Sequence, residues 1–330
     1  MEGAVASAAP SRIQDAAQRL AAAVHTVVVG QDSAIELLLV ALLVEGHVLL
    51  EDVPGVGKTL LARTLSRALG CDFRRLQFTP DLLPGDVTGL SYFNQRTQEF
   101  EFRPGPIFTN VLLADEINRA TPRTQSALLE SMGERQVTVE GDTRRVPRPF
   151  LVLATQNPVE LEGTFPLPEA QLDRFLMRVS LGYPSEDDER AILRRFKELP
   201  TATALDEVKP VVSGEELLAL QDGCRRVHVS DAVEGYLLSI VRATRGHDAL
   251  DLGASPRASL ALYRAAQARA ALRGGDYVLP DDVKALAPAV LGHRLLAAAQ
   301  SRLRGRGATA IVEQLLQSIP TPVEAEAAAR

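Results

Sequence analysis

The stretch from His47 to Leu65, HVLLEDVPGVGKTLLARTL, constrains the fold more than any other part of this chain. An apolar run ends in DVPGVGKT and an amphipathic segment follows, which predicts a strand, a glycine-bearing turn and the start of a helix. The backbone N–H groups of such a turn, together with the N-terminus of the helix, attract anionic oxygens. We therefore expect a phosphate-binding loop at this point of the chain.

Individual residues of this loop have distinct expected roles. Lys58 can reach the β- and γ-phosphates of a nucleotide, and the Thr59 hydroxyl can hold Mg²⁺. Gly55 and Gly57 let the backbone approach the phosphates. Asp52 stands where the usual pattern begins with glycine, and we expect this departure to leave the turn intact. The alternative interpretation is a tight strand-to-helix turn that merely contains Gly-Lys-Thr.

Length and composition limit the class of protein. The chain has 330 residues, of which 46% are hydrophobic and 24% charged, as is typical of globular proteins, and its length is compatible with two domains. Its formal net charge of −6 disfavours a nucleic-acid binder, because such proteins draw their affinity mainly from Lys and Arg on phosphates. Cys71 and Cys224 lie far apart and form no metal-ligand cluster. We therefore expect a protein of the reducing cytoplasm without disulfides.

We expect neither an export signal nor a membrane span. The opening residues MEGAVASAAPSR lack a basic region followed by a sustained apolar run, which an export signal requires. The apolar run from Leu37 to Val44 is bounded by Glu36 and Glu45. It is shorter than the roughly twenty residues that span a bilayer, so we interpret it as part of a buried helix under a sheet.

Predicted strands alternate with predicted helices in the first half of the chain, which indicates a parallel sheet covered on both faces. The helices are expected over residues 11–24, 32–45 and 122–133. Two predicted β-hairpins, over residues 91–102 and 134–150, are insertions into this pattern. The predicted strands are His47–Leu50, Phe73–Phe78, Val111–Asp115, Phe150–Pro158 and Arg178–Leu181.

The strand signals stop after Pro184, where amphipathic helices separated by Gly and Pro begin. This change divides the chain into an α/β core over residues 11–184 and a helical domain over residues 185–320. Residues 1–10 and 321–330 are expected to be disordered tails, because both are rich in Ala and contain Pro.

Polar residues follow two of the predicted strands at the edge where ligands of α/β sheets bind. Asp115 is suited to orient Mg²⁺, and Glu116 could polarise an attacking water as a general base. Asn157 could hold that water or the γ-phosphate. The alternatives are a solvated strand end for the two acids and an Asx turn before Pro158 for Asn157.

An arginine that meets the γ-phosphate accelerates phosphoryl transfer by about 10³–10⁵. Arg174, in PEAQLDRF, and Arg257, in GASPRA, are the candidates for such a role. Surface arginines are common, and composition alone does not choose between the two.

Five motifs in order, LLEDVPGVGKT, VLLADEINRA, ATQNP, GTFPLPEAQLDRF and GASPRA, resemble those of the MoxR family of AAA+ ATPases. The resemblance covers the chain from about Val28 to about Pro320. It implies an AAA+ αβα core with a five-stranded parallel sheet of order 5-1-4-3-2, followed by a helical lid. It also implies that the two hairpins face the pore or rim of a ring.

The resemblance assigns roles to particular residues. Asn157 corresponds to sensor 1, Arg174 to the arginine finger and Arg257 to sensor 2, with its action in cis or in trans left open. The implied nucleotide-binding set combines an adenine-side segment with the phosphate loop: Val28, Val29, Gly30, Pro54, Gly55, Val56, Gly57, Lys58, Thr59 and Leu60.

The resemblance further implies a homo-oligomeric ring, expected to be a hexamer, that hydrolyses ATP with Mg²⁺. Members of the family are viewed as chaperones that remodel or mature client proteins or help load cofactors, often with a separate partner carrying a von Willebrand A domain. Neither the client nor the partner can be read from this chain.

Three other functions stay open. Arg144, Arg145 and Arg148 on the second hairpin could serve a nucleic-acid motor, although a solvated basic loop is the simpler interpretation. The chain could instead be the ATPase subunit of a metal chelatase. A nucleotide-dependent binding switch with negligible turnover is the third, but it would need neither Glu116 nor Arg174.

Overall fold

The computed structural model describes residues 2–157, 163–198 and 201–322. All five predicted strands of the sheet are present, and their bounds agree with the expected ones to within a few residues. In chain order the strands are β1 (Val48–Glu51), β2 (Phe73–Gln77), β3 (Gly89–Asn94), β4 (Glu99–Pro104), β5 (Val111–Asp115), β6 (Gln136–Val139), β7 (Asp142–Arg145), β8 (Leu151–Gln156), β9 (Met177–Val179), β10 (Leu250–Leu252) and β11 (Leu296–Ala297).

Helices surround the sheet and make up most of the chain after β9. Short 3₁₀ turns follow β5 and precede β11, over Ile117–Arg119 and Gly292–Arg294. The α-helices are α1 (Glu2–His25), α2 (Asp32–Leu43), α3 (Lys58–Ala68), α4 (Pro84–Thr88), α5 (Pro122–Glu134), α6 (Glu169–Leu172), α7 (Glu186–Glu198), α8 (Thr201–Glu207), α9 (Gly214–Cys224), α10 (Asp231–Arg245), α11 (Pro256–Leu272), α12 (Pro280–Leu291), α13 (Ala299–Leu303) and α14 (Ala308–Ser318).

The central sheet has five parallel strands in the order β2-β5-β8-β1-β9. When these five strands are numbered along the chain, the order is 5-1-4-3-2, so the expected fold is confirmed. The phosphate-loop strand β1 therefore lies beside β8, and β8 lies beside β5. Their carboxyl ends meet at one edge of the sheet, which brings the phosphate loop to the same edge as Asp115, Glu116 and Asn157.

Both faces of the sheet are buried at its inner strands β1, β5 and β8, because these consist mostly of apolar residues that alternate between two cores. In β8, Leu151 and Leu153 contribute to one core, whereas Val152 and Ala154 contribute to the other. The first core also includes residues of α1, α2, α3, α9 to α12 and α14, and the second includes residues of α5 and the second hairpin. The apolar helix α2 is buried along most of its length, as expected.

Both predicted hairpins are present. Strands β3 and β4 pair in antiparallel register, as do β6 and β7. Glu140 and Gly141 link β6 to β7, and both have positive φ (53° and 92°), as two-residue hairpin turns with the preferred twist require. The Arg144 guanidinium stacks 4.2 Å from the centre of the Phe102 ring, which joins the two hairpins.

Two expectations need correction. The region after Pro184 is not purely helical, because β10 and β11 form a small antiparallel pair; strands of two or three residues are too short to leave a periodic pattern. The helix α1 begins at Glu2, whereas a tail was expected over residues 1–10; this alanine-rich segment has high helix propensity despite Pro10. Residues 323–330 of the second expected tail, and Pro158 at the end of a predicted strand, lie outside the described residues.

Among the described residues, no helix has the length and apolar character that crossing a membrane requires.

Candidate active site

The phosphate loop follows β1 and ends where α3 begins at Lys58. Gly55 and Gly57 have φ of 88° and 96°. A Cβ at either position would meet no atom within 4 Å, so backbone conformation rather than crowding explains the glycines. The amides of the loop and of the first turn of α3 are thereby arranged around a space that suits an anion.

The Lys58 ammonium lies over this loop, where Nζ donates to the carbonyl oxygens of Asp52 (2.8 Å) and Val53 (3.3 Å). Burial lowers the pKa of Lys58, and the negative charges of Asp52, Asp115 and Glu116 oppose that shift. The charges that oppose the shift therefore come from the ends of β1 and β5.

Asp115 ends β5 with its side chain 15% exposed and both oxygens engaged. Oδ1 accepts a hydrogen bond from the Thr155 hydroxyl at 2.6 Å, and Oδ2 accepts one from Arg75 Nη2 at 2.6 Å. Thr155 lies on the neighbouring strand β8 and Arg75 on the edge strand β2. The carboxylate is thus fixed in orientation by both strands that flank β5.

Glu116 has a left-handed backbone (φ 56°, ψ 50°), which turns its side chain off the strand. Its N–H donates to Thr155 Oγ1 at 2.8 Å. Its Oε2 accepts from Gln77 Nε2 at 2.8 Å and pairs with Arg119 Nε at 2.9 Å. Two donors therefore hold the carboxylate that sequence analysis proposed as the base.

Asn157 follows β8 directly and is buried, with 6% of its surface exposed. Because β8 lies between β5 and β1, Asn157 belongs to the same sheet edge as Asp115 and the phosphate loop. The five-residue gap after Asn157 includes Pro158, so the proposed Asx turn involves a residue outside the described part of the chain.

A cavity of about 240 Å³ adjoins the phosphate loop. Leu181 and Pro184, after β9, and Phe196, on α7, form the side of it that leads into the helical domain. Gly30 lies just outside the lining, and a Cβ there would come within 2.9 Å of Asp188 on α7. Six of the predicted nucleotide-binding residues line the cavity: Val28, Val29, Gly55, Val56, Gly57 and Leu60.

The remaining predicted ligands lie at the two ends of the loop. Pro54 is exposed in the turn after β1, whereas Lys58 and Thr59 open α3. Thr59 and Asp115 supply a hydroxyl and a carboxylate, the oxygen donors that Mg²⁺ prefers when substrate phosphates and water complete its shell. Within the described ranges no three His, Cys, Asp or Glu side chains form a metal-binding group of their own. A metal bound partly by a nucleotide needs no such group.

Arg174 and Arg257 lie together, in a second cavity of about 370 Å³. This cavity shares no lining residue with the one at the phosphate loop. Arg174 Nη1 donates to the carbonyl of Leu129 at 2.9 Å, and Arg257 is the second residue of α11. Arg264 lies two turns further along α11 on the same face and lines the same cavity.

Sequence analysis missed the residues that orient the two acids. Gln77 and Arg75 belong to β2, whose place beside β5 is known only once the strand order is known. Thr155 lies within a run of apolar strand residues, and Arg119 could have been noticed only from its position three residues after Glu116. The buried side chain of Asp52 was also missed.

Fold and site together are those of an ATPase of the AAA type. Residues 47–177 match the model of the ATPase family associated with various cellular activities (AAA), and residues 242–315 match the AAA lid domain. The chain is 44% identical to the chaperone MoxR1 of Mycobacterium tuberculosis, over 93% of this chain and 85% of that protein. The chain belongs to the MoxR family of AAA+ ATPases.

Two further comparisons extend over nearly the whole chain. The uncharacterised protein YeaC of Bacillus subtilis is 50% identical over 92% of this chain and 94% of its own length. The protein in a crystal structure from Cytophaga hutchinsonii is 40% identical in sequence to this chain, and the two structures superpose with a TM-score of 0.89. The match covers 98% of this chain and 100% of that one. The predicted family, fold and ATPase class are thereby confirmed.

Proposed function

We propose that this chain binds ATP at the phosphate loop and hydrolyses it to ADP and phosphate with Mg²⁺. The observation that supports this most directly is that Lys58, after β1, and Asp115 and Glu116, at the end of β5, lie at the same edge of the sheet, on the two strands that flank β8. A cation for the phosphates, a carboxylate for a metal and a second carboxylate for water are therefore placed at one edge of the sheet. A tight turn that merely contained Gly-Lys-Thr would not need the two acids.

Each residue has a defined task in this proposal. Lys58 leaves the carbonyls of Asp52 and Val53 and donates to the β- and γ-phosphates, because an anion competes well for an ammonium. Thr59 and Asp115 would hold Mg²⁺, which neutralises charge on the phosphate oxygens when bound. Asn157 orients the attacking water or the γ-phosphate.

Glu116 polarises the attacking water as general base. In the structure its carboxylate is held by Gln77 and Arg119, so it must leave at least one of these donors to reach a water. Release of Glu116 is therefore a point at which hydrolysis can be controlled.

Arg174 and Arg257 act on the nucleotide of a neighbouring subunit. They share a cavity with each other and not with the phosphate loop of their own chain. A subunit that carries arginines on one side and a nucleotide on the other makes head-to-tail contacts with its neighbours. Such contacts close into a ring when the rotation between subunits fits. We propose a homo-oligomeric ring, with six subunits as the expected number.

We further propose that the ring remodels or matures client proteins, together with a separate von Willebrand A partner. The support is the similarity of nearly the whole chain to the chaperone MoxR1. The two hairpins, joined by Arg144 and Phe102, would move with the nucleotide state and act on the client. We keep the cytoplasm as the expected location.

The contacts of the second hairpin weaken the alternative that this chain is a nucleic-acid motor. Arg144 stacks on Phe102 and pairs with Asp142 at 3.2 Å, and Arg148 pairs with the buried Glu45 at 2.6 Å. Two of the three arginines that suggested phosphate contacts are therefore engaged within the chain.

The test is Glu116→Gln, assayed separately for ATP binding and for phosphate release. Loss of a general base lowers turnover by about 10²–10⁴, whereas ATP binding should remain because Lys58 and the loop are intact. Glu130→Gln, an exposed glutamate on α5, is the matched control and should hydrolyse ATP at the parent rate. Normal hydrolysis by Glu116→Gln would show that another group activates the water.

A further inference from the structure

Asp52 joins the phosphate loop to the segment that leads from the core into the helical domain. Its side chain is buried, with 7% of the residue exposed. Oδ2 accepts hydrogen bonds from the backbone N–H groups of Leu181 and Gly182, the latter at 2.9 Å, and from the Ser180 hydroxyl at 3.3 Å. A residue in the place of the usual loop glycine thus contacts the chain immediately after β9.

The same residue contacts the lysine of the loop. Lys58 Nζ donates to the Asp52 carbonyl at 2.8 Å, and the Val53 N–H donates to Asp52 Oδ1 at 3.2 Å. A phosphate that draws the ammonium away changes the hydrogen bonding of the peptide unit that carries the Asp52 side chain. A shift of this unit moves the carboxylate, and the carboxylate holds the junction.

The junction is built to respond to such a shift. Gly182 has φ of +67°, and a Cβ there would meet no atom within 4 Å. Glycine therefore suits this position because of its backbone conformation and not because of crowding. The bend at Gly182 turns two consecutive N–H groups toward Asp52 Oδ2 and redirects the chain toward α7. Leu181 and Pro184 also line the cavity at the loop, so the junction and the nucleotide site are contiguous.

We propose that Asp52 is a positioning residue that transmits occupancy of the phosphate loop to the junction at residues 180–184, and so to the helical domain. The proposal rests on the proposed binding of ATP at this loop. A glycine at position 52 would leave the loop able to bind phosphate and would remove the connection. The departure from the usual loop pattern therefore has a function of its own.

The chain has no tryptophan, so Tyr183→Trp creates a single fluorescent reporter at the junction. Tyr183 is 77% exposed and does not line the cavity, which makes the exchange conservative. In the full-length Tyr183→Trp protein, ATP should shift the tryptophan emission. Adding Asp52→Gly should abolish most of that shift while ATP binding, measured by equilibrium dialysis, is retained.

Three further variants in the same background sharpen the test. Asp187→Asn removes a nearby exposed acid on α7 and should leave the shift unchanged. Ser180→Ala removes one hydrogen bond from Asp52 and should reduce the shift in part. Asp52→Asn keeps the shape of the side chain and loses its charge, so it tests the connection even if Asp52→Gly does not fold.

The outcomes separate the two proposals. A full shift in ATP-bound Asp52→Gly, or in both Asp52→Asn and Ser180→Ala, would overturn the role of Asp52. So would the absence of any shift in a Tyr183→Trp protein that binds ATP. Failure of the Tyr183→Trp protein and of the unmodified chain to bind ATP would instead overturn the proposed function, and the role of Asp52 with it.

Discussion

Gln77 is one of the two side chains that restrain the proposed base, because its amide donates to Glu116 Oε2 at 2.8 Å. We predict that Gln77→Ala raises the basal rate of ATP hydrolysis. Hydrogen bonds to charged groups contribute about 1.5–3 kcal/mol, so the rise should be roughly tenfold or more if this contact limits release. The measurement is steady-state phosphate release per subunit.

The matched control for this prediction is Gln95→Ala, an exposed glutamine in the turn between β3 and β4. It should leave the rate unchanged. A rate in Gln77→Ala that equals or falls below the parent rate, with ATP binding intact, would show that Gln77 supports the base in its active position.

His47, just before β1, is a buried residue whose titration should be measurable. Nδ1 accepts from the Val152 N–H, so Nε2 carries the proton and donates to the Met132 carbonyl. Burial lowers the pKa of His47 from 6.5 to about 4. The unfolded chain therefore binds a proton at higher pH than the folded chain does, and this group's contribution to stability is lost as the pH falls from about 6.5 to about 4.

One pKa unit corresponds to about 1.4 kcal/mol, so the loss from His47 reaches about 3 kcal/mol near pH 4. His47→Gln offers a donor and an acceptor but does not titrate. We predict that the free energy of unfolding of the parent, relative to this variant, falls by that amount between pH 7 and pH 4. A difference that stays constant across this range, in denaturant titrations, would contradict the assignment.

At the scale of elements, one carboxylate connects the two arginine-bearing segments. Asp173, between α6 and Arg174, accepts from Arg294 Nε at 2.8 Å and from the Ser255 hydroxyl at 3.0 Å. Ser255 is the N-cap residue of α11, which carries Arg257. Arg294 is itself buried, with 3% of its side chain exposed. Arg174 and Arg257 are therefore held as one unit across the core and the helical domain.

We predict that Asp173→Asn lowers both stability and turnover. Breaking a buried ion pair by removing one partner costs about 3–5 kcal/mol, and loosening α11 displaces Arg257 relative to Arg174. Binding of ATP at the variant's own loop should remain. Glu169→Gln, an exposed residue on the same short helix, is the control and should change neither the melting temperature nor kcat; an unchanged kcat in Asp173→Asn would contradict the prediction.

The sequence predicted the elements whose pattern is local. The apolar strand β5 was bounded correctly at both ends, and both hairpins were found because alternation and turn residues are short-range signals. The order of the sheet came from the resemblance to a family rather than from periodicity. The pair β10–β11 was missed because its strands are too short to show alternation.

Contacts between distant segments could not be predicted from the sequence, for a different reason. Asp115 and Glu116 were identified, but Gln77 and Arg75 reach them only because β2 pairs with β5. The buried side chain of Asp52 was missed because its partners lie more than a hundred residues away, in the segment after β9. Such contacts follow from the assembled fold and leave no pattern in the neighbouring residues.

At the scale of the whole molecule, the phosphate loop and the arginine pair line separate cavities. In the ring that we propose, Arg174 and Arg257 serve a neighbour, so an isolated subunit would lack an arginine that meets its own γ-phosphate. Removal of such a cation lowers turnover by about 10³–10⁵. Hydrolysis is therefore expected to be a property of the assembly rather than of the single chain.

The measurement that tests this claim most directly is ATP hydrolysis by mixtures of Lys58→Ala and Arg174→Ala subunits. Each variant alone should be inactive, the first because its loop does not hold ATP and the second because its neighbour's site lacks the arginine. In mixed rings, Lys58→Ala subunits supply Arg174 to intact loops, and activity should return. If native mass spectrometry shows mixed rings and activity does not return, Arg174 does not act between subunits and the account is wrong.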